Sequence, residues 1–119
     1  MSMRAARGAI RVASDDRDVL LSATERLVSG LLERNEIETE DLVSILFTVT
    51  DDLRSAFPAE AARKMGLGRV PLLCAREIDV PGAMAKVVRV LMHFRSGAAL
   101  DDVVHVYLDG AESLRDDLA

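Results

Sequence analysis

The sequence predicts a single domain of the α/β or α+β class, in which a mostly buried β-sheet packs against one long helix. Three observations predict it. The chain has 119 residues, the length of one domain. One stretch shows the three- and four-residue apolar spacing of an amphipathic helix. The other apolar stretches are short, and most are rich in β-branched residues, as strands are.

The first two elements are a strand and a helix. Residues 3–12 alternate with a period of two, which predicts a strand, and Gly8 in its middle indicates a bend or a close approach of another backbone. Residues 14–34 begin with helix-capping side chains and continue with apolar residues at intervals of three and four, which predicts an amphipathic helix. We expect Asn35 to end this helix in the left-handed conformation.

The rest of the chain predicts four strands and one short helix. The helix begins at Pro58, runs to Lys64 or Met65 and ends at Gly66. The predicted strands are residues 42–50, 70–74, 87–94 and 103–108. The predicted order is therefore β-α-β-α-β-β-β, in one domain over residues 1–119.

Composition narrows the class of partner. The net charge is −5 and the pI is about 5.0, which disfavours a nucleic-acid-binding surface. The longest uncharged apolar runs reach about eight residues, far below the roughly 20 of a membrane helix. The single cysteine excludes an intrachain disulfide, and arginines interrupt any apolar leader at the N-terminus. We therefore expect a cytoplasmic protein.

Arginine dominates the basic residues, with thirteen arginines and two lysines. Either genomic composition or function explains this bias, since arginine binds carboxylates and phosphates through two parallel hydrogen bonds. Arg89 lies inside an apolar strand and needs a counter-charge, for which Glu77, Asp79 and an anionic ligand are the candidates. Arg7 stands between small residues, either as a surface side chain or with room for a ligand beside it.

Nucleophilic and metal chemistry have weak support. Cys74 is a nucleophile only with a base beside it, and otherwise a small buried apolar residue. His93 and His105 lack the clustered ligands of a metal site, and the glycines do not form a P-loop. His105 and Tyr107 share one face of the predicted last strand and are expected to line one cavity. The residues alone therefore indicate a site that binds a polyanion without covalent catalysis.

An ordered set of motifs resembles the AroH class of chorismate mutases over nearly the whole chain. In chain order the first motifs are RAARGA at residues 4–9, FPA at residues 57–59 with Arg63, and VPLLC at residues 70–74 with Glu77. They are followed by VPG at residues 80–82, VRVLM at residues 88–92, HVYL at residues 105–108, and Leu114 with Arg115. The resemblance implies a homotrimer with a pseudo-barrel α/β fold and active sites between subunits. It implies an isomerase of aromatic amino acid biosynthesis that converts chorismate to prephenate without metal or cofactor.

The resemblance also implies roles for individual residues, with Arg89, Glu77 and Arg7 as the catalytic set. The implied substrate contacts are Arg7, Arg89 and Tyr107 for the carboxylates and the ether oxygen, Glu77 and Cys74 near the ring hydroxyl, Phe57, Leu73 and Leu114 along the cleft, and Arg63 and Arg115 at its mouth.

Two features depart from the family pattern. Glu60 is acidic where a related sequence carries lysine, and it receives no role. The polar tail from Asp109 lacks the expected proline after Arg115; we expect this tail to be mobile and to cover the bound substrate.

Two alternative functions remain open at this point. One is a trimeric deaminase of the RidA type, which also holds a carboxylate with arginine. The other is a regulatory domain that binds an aromatic acid without catalysis.

Overall fold

A computed structural model describes residues 1–118 of the chain, with the side chains of residues 1–115. Its elements follow the predicted order. The strands are β1 (Ser2–Arg11), β2 (Leu42–Val49), β3 (Leu72–Arg76), β4 (Val87–Ser96) and β5 (Val106–Leu108), and the helices are α1 (Arg17–Arg34) and α2 (Ala59–Lys64). Short 3₁₀ segments cover Thr39–Asp41, Leu100–Asp102 and Ala111–Leu118. Within residues 1–118, no helix combines the length and apolarity needed to cross a membrane.

The five strands form one mixed sheet in the order β3-β2-β4-β1-β5. The central strand β4 pairs antiparallel with β1 and β2, whereas the outer pairs β2–β3 and β1–β5 are parallel. The α/β class that the sequence predicts is confirmed. The central strand β4 carries Arg89, which therefore lies in the middle of the sheet rather than at an edge.

The two faces of the sheet have different surroundings. On one face, fully buried side chains such as Ile10, Phe47 and Val88 pack with residues of α1, among them Leu20 and Leu27. Successive side chains of a strand point to opposite faces. The residues between these core positions therefore lie on the other side, which neither helix covers. We call this side the open face.

At Gly8 the helix α1 and the strand β5 both pack closely against β1. A Cβ atom at this position would lie 3.0 Å from Leu27 Cδ1 and 3.0 Å from the carbonyl oxygen of Val106. Real Cβ atoms rarely tolerate such contacts, so only glycine lets the helix and β5 pack this tightly. The predicted close approach at Gly8 is confirmed.

Asn35 ends α1 by a different route from the predicted one. Its φ of −100° is not left-handed, and Glu36 with φ 52° takes that conformation instead. The Asn35 amide nitrogen donates to the carbonyl oxygens of Leu31 and Val104, each at 2.9 Å, and its oxygen accepts from the Val104 N–H at 2.8 Å. The Asn35 side chain therefore uses the N–H and the carbonyl of Val104, which are then not free to pair with a neighbouring strand. Strand β5 accordingly begins at Val106 instead of Val103.

Strand β3 starts two residues later than predicted, because Pro71 has no N–H to donate to the β-ladder. The Pro71 carbonyl accepts from the Ile45 N–H at 3.0 Å, and β3 follows from Leu72. The shift carries the strand to Arg76 and places Glu77 directly after it. The short helix begins at Ala59, one residue after the predicted start, with Pro58 as its N-cap, and its end at Gly66, with φ 86°, is as predicted.

Candidate active site

A cleft of about 250 Å³ lies on the open face. Four of the predicted site residues meet there: Arg7, Glu77, Arg89 and Tyr107. The remaining lining is Gly8, Leu46, Thr48, Val90 and Leu91. The four residues come from β1, β4, β5 and the segment after β3, so the sheet topology alone brings them together.

The register of the strands places the polar side chains on the same face. Tyr107 of β5 is opposite Ala9 of β1, two residues along from Arg7. Arg89 of β4 is directly opposite Thr48 of β2. Because side chains of directly opposed residues lie close together, Thr48 and Arg89 are neighbours in the floor of the cleft.

Arg89 has the counter-charge that the sequence requires, and it is Glu77. The Arg89 Nε atom lies 3.5 Å from Glu77 Oε1, and the two side chains are 39% and 26% exposed. The Nε atom itself is buried and has no hydrogen-bond partner among the described residues. The ion pair is therefore incomplete: the charge of Arg89 is compensated in part, and one of its donors is unused.

Glu77 is held from two sides by β2. Its backbone N–H donates to the Val49 carbonyl at 2.8 Å, and its Oε2 atom accepts a hydrogen bond from the Thr48 hydroxyl. Sequence reasoning missed Thr48. The alternation of side chains along β2 indicates which face of the sheet Thr48 lies on. Only the register of β2 against β4 shows that Thr48 adjoins Arg89.

His105 supports Arg7 from outside the cleft. Its Nδ1 atom accepts from the Arg7 backbone N–H at 2.9 Å. Burial lowers the pKa of His105, and the charges of Arg7 and Arg115 lower it further. His105 precedes β5 and is not among the cleft-lining residues, so the expectation that it lines one cavity with Tyr107 is wrong.

Phe57 and Cys74 line a second cleft, of about 520 Å³, between the end of β3 and the loop before α2. Phe57 is 68% exposed and Cys74 is half-buried. No histidine is among the described lining residues of this cleft. The lining of this cleft therefore offers no histidine to activate Cys74, and it gives no support for a nucleophilic role.

The other predicted substrate contacts lie outside both clefts of the single chain. Leu73 is 60% exposed on the edge strand, opposite Leu46 of the first cleft. Arg63 is exposed on α2, and Arg115 is exposed near the C-terminus. Leu114 is half-buried and packs with Tyr107 against a small apolar cluster. That cluster consists of Ala9, Val87 and Ala111. The tail therefore packs beside the cleft as far as Leu114, and its expected mobility and closure over the substrate stay predictions. Ala119 and the side chains after Arg115 lie outside the described residues.

Glu60, which the sequence leaves without a role, pairs with Arg17. Both carboxylate oxygens of Glu60 accept hydrogen bonds from the guanidinium of Arg17. These bonds and the positive charge lower the pKa of Glu60. The pair joins the first turn of α1 to α2, at the rim of the second cleft.

Charge distinguishes the first cleft from a neighbouring pocket of about 270 Å³ that shares Glu77. Asp51, Asp52 and Asp79 line that pocket, and an acidic wall repels an anion. In the open-face cleft two guanidinium groups face one carboxylate, which leaves a net positive charge. Among the described residues, no three His, Cys, Asp or Glu side chains gather where they could hold a metal ion.

Comparisons with known proteins show which family the chain resembles. A chorismate mutase AroH from Thermus thermophilus is 50% identical over 98% of this chain and 96% of its own length. A chorismate mutase AroH from Bacillus subtilis is 38% identical over 100% of this chain and 94% of its own. The solved structure of a chorismate mutase from Clostridium thermocellum superposes with a TM-score of 0.90 at 45% identity, covering 92% of this chain and 97% of that one.

The sequence model of the family described as chorismate mutase type I matches residues 3–118. Nothing in these comparisons supports the deaminase or the regulatory domain. The resemblance seen in the sequence is therefore confirmed over its whole extent, and the chain belongs to the type I family of chorismate mutases.

Proposed function

We propose that the open-face cleft is the place where this isomerase converts chorismate to prephenate. The observation that carries the proposal is the meeting of Arg7, Arg89, Tyr107 and Glu77 in one cleft with a net positive charge. Chorismate is a dianion, and of the pockets described above this one combines two arginines with a tyrosine hydroxyl.

The reaction suits a site without a nucleophile. It is an intramolecular rearrangement in which an ether C–O bond breaks and a C–C bond forms, with no proton transfer. The enzyme needs only to hold the chair-like conformer and to stabilise the charge that develops on the ether oxygen. In our proposal Arg7 and Tyr107 hold carboxylate oxygens, and Glu77 accepts a hydrogen bond from the ring hydroxyl.

Arg89 has the central role in this proposal. Its side chain is 39% exposed, its Nε atom is buried without a hydrogen-bond partner among the described residues, and Glu77 compensates its charge only in part. A fixed positive charge in a partly dry cleft interacts more strongly with the transition state than with the substrate. We therefore assign Arg89 to the ether oxygen.

The test is the pair of variants Arg89→Ala and Arg95→Ala. Removing one such donor costs roughly a hundred- to a thousandfold in kcat, so Arg89→Ala should fold normally and lose at least that much. Arg95 lies on the same strand and the same face at the far end, and it is exposed, so Arg95→Ala should retain normal kcat. Activity is followed as formation of prephenate from chorismate, and Tm is measured on the same preparations.

Near-normal kcat in folded Arg89→Ala would end the assignment. A large loss of Tm with little loss of kcat would make Arg89 a structural residue instead. Arg89→Lys should restore little activity, because an ammonium group lacks the planar pair of donors.

We also propose that the active form is a cytoplasmic homotrimer whose sites combine residues of neighbouring chains. Three observations support shared sites. No single cleft of one chain collects the expected substrate contacts, since four line the open-face cleft, two line the second cleft and the others lie outside both. The open-face cleft is smaller than the roughly 300–1,000 Å³ of typical ligand sites. Phe57 and Leu73 are large apolar side chains left exposed. A monomeric mass in light scattering, together with full activity, would exclude the shared site.

The proposed chemistry needs no metal ion. Activity should therefore be unchanged after treatment with a chelator. Loss of activity that a divalent cation restores would contradict this part of the proposal.

A further inference from the structure

We propose that Thr48 is a positioning residue, which keeps Glu77 from closing fully onto Arg89 and so preserves the charge that acts on the substrate. The inference rests on the proposed function of the cleft and extends it to a residue that touches neither reacting atom. It comes from the hydrogen bonds around one carboxylate.

The two oxygens of Glu77 have different partners. Oε2 accepts the hydroxyl hydrogen of Thr48, and Oε1 faces Arg89 Nε at 3.5 Å. That distance exceeds the usual 2.7–2.9 Å of a charge-assisted hydrogen bond. In the part of the chain that the structure describes, the Nε donor is accordingly left without a hydrogen-bond partner although it is buried.

Leaving the buried Nε donor of Arg89 without a hydrogen bond costs free energy, so some other contact has to hold Glu77 away from it. A buried donor beside a free carboxylate gains a charge-assisted hydrogen bond if the carboxylate turns toward it. The backbone of Glu77 is held by its N–H bond to Val49, so on the glutamate side of the pair a rotation of the side chain is what would close the gap. The Thr48 hydroxyl opposes that rotation, because turning the carboxylate would break its bond to Oε2.

The position of Glu77 affects the reaction because it sets how much positive charge Arg89 presents to the substrate. A carboxylate bonded through both oxygens would neutralise the guanidinium and hold it away from the ether oxygen. Thr48 lies directly opposite Arg89 in the sheet and lines the same cleft, so it is placed to set this balance. Its loss should lower kcat more than it changes KM, since Arg89 acts chiefly on the transition state.

The experiment replaces Thr48 with valine, which has nearly the same shape but no hydroxyl. Hydrogen bonds to charged groups are among the stronger ones, so we expect kcat to fall about ten- to a hundredfold with a much smaller change in KM. Thr48→Ser keeps the donor and should restore most of the activity. Thr24→Val is the matched control, because the Thr24 hydroxyl bonds to Leu20 O within α1, far from the cleft in sequence and on the opposite face.

A double-mutant cycle separates positioning from structure. In a Glu77→Ala background Thr48 has no carboxylate to hold, so Thr48→Val should cost little further kcat. An equal loss in both backgrounds, or normal kcat in Thr48→Val, would overturn the inference. Thr48→Ala serves in the same cycle if the valine variant does not fold.

The outcomes separate this inference from the proposed function. If wild type fails to form prephenate, or Arg89→Ala keeps normal kcat, the proposed function fails. If Arg89→Ala behaves as expected and Thr48→Val matches wild type, only the positioning role of Thr48 fails.

Discussion

The two faces of the sheet differ in burial and in charge. On the helix-covered face the strands bury side chains such as Phe47, Ile10 and Met92 completely, and no charged side chain among the described residues is buried to that degree. On the open face the same strands carry Arg7 and Arg89, half-buried or exposed. Because successive side chains point to opposite faces, each strand contributes residues to both the core and the open face. We therefore expect stability and catalysis to respond to different sets of substitutions.

Phe47→Ala should show the largest effect on stability. Truncating a fully buried phenylalanine costs about 3–5 kcal/mol of unfolding free energy, and Phe47 is 0% exposed. The activity of each folded molecule should change little, the opposite of the result expected for Arg89→Ala. Denaturant unfolding and kcat corrected for the folded fraction measure both quantities. A loss of kcat without loss of stability would break the division between the faces.

Gly8→Ala tests the contact between the sheet and α1. The added methyl group meets Leu27 and the Val106 carbonyl at 3.0 Å, and such overpacking costs about 1–3 kcal/mol. Gly30→Ala is the matched control within α1, where the nearest atom lies at an ordinary 3.4 Å; there alanine should stabilise by roughly 0.4–1 kcal/mol. Equal Tm shifts in both variants would show that the packing at Gly8 is not tight.

His105 should make stability depend on pH. Burial lowers its pKa from the ordinary 6.5, and the charges of Arg7 and Arg115 act in the same direction. As the pH falls, His105 is therefore protonated in the unfolded chain at a higher pH than in the folded protein. The contribution of His105 to the free energy of unfolding is complete above about pH 6.5 and is lost as the pH falls from there through the folded-state pKa. Protonation of Nδ1 also removes the acceptor for the Arg7 N–H.

The measurement is Tm against pH for wild type and His105→Gln. The wild type should lose more stability than the variant as the pH falls from 7 toward the folded-state pKa. Parallel curves would show that His105 keeps its ordinary pKa in the folded protein.

The pair of Arg17 and Glu60 should have the smallest effect. Both side chains are partly exposed, and surface ion pairs contribute little to stability. Glu60→Gln and Arg17→Gln should each lower Tm slightly, and less so in high salt. The pair lowers the pKa of Glu60, so its contribution is present above the ordinary pKa of glutamate and is lost as the pH falls through the folded-state value. A large loss from either variant would mean that the pair holds α2 in place.

Periodicity was sufficient to predict the strands, the helices and their order. It failed where a side chain replaced a backbone partner: Asn35 bonds to the Val104 backbone and shortens β5. It also failed at Pro71, whose missing donor delays β3. Both errors come from contacts between residues far apart in the chain or from one missing N–H, which apolar spacing does not encode.

The candidate site was predictable in part. A charge inside an apolar strand indicated Arg89, and its need for a counter-charge left Glu77, Asp79 and an anionic ligand as candidates; the structure places Glu77 3.5 Å away. Thr48 was not predictable, because a threonine in a strand is common and only the register against β4 gives it a neighbour. The roles of all these residues remain predictions.

The most direct measurement is a crystal structure of this chain with a bicyclic dicarboxylate ether that imitates the transition state. The account expects the ligand in the open-face cleft, with the Arg89 guanidinium within hydrogen-bond distance of the ether oxygen and Arg7 on a carboxylate. Binding with the ether oxygen away from Arg89, or in the cleft of Phe57 and Cys74 alone, would contradict it.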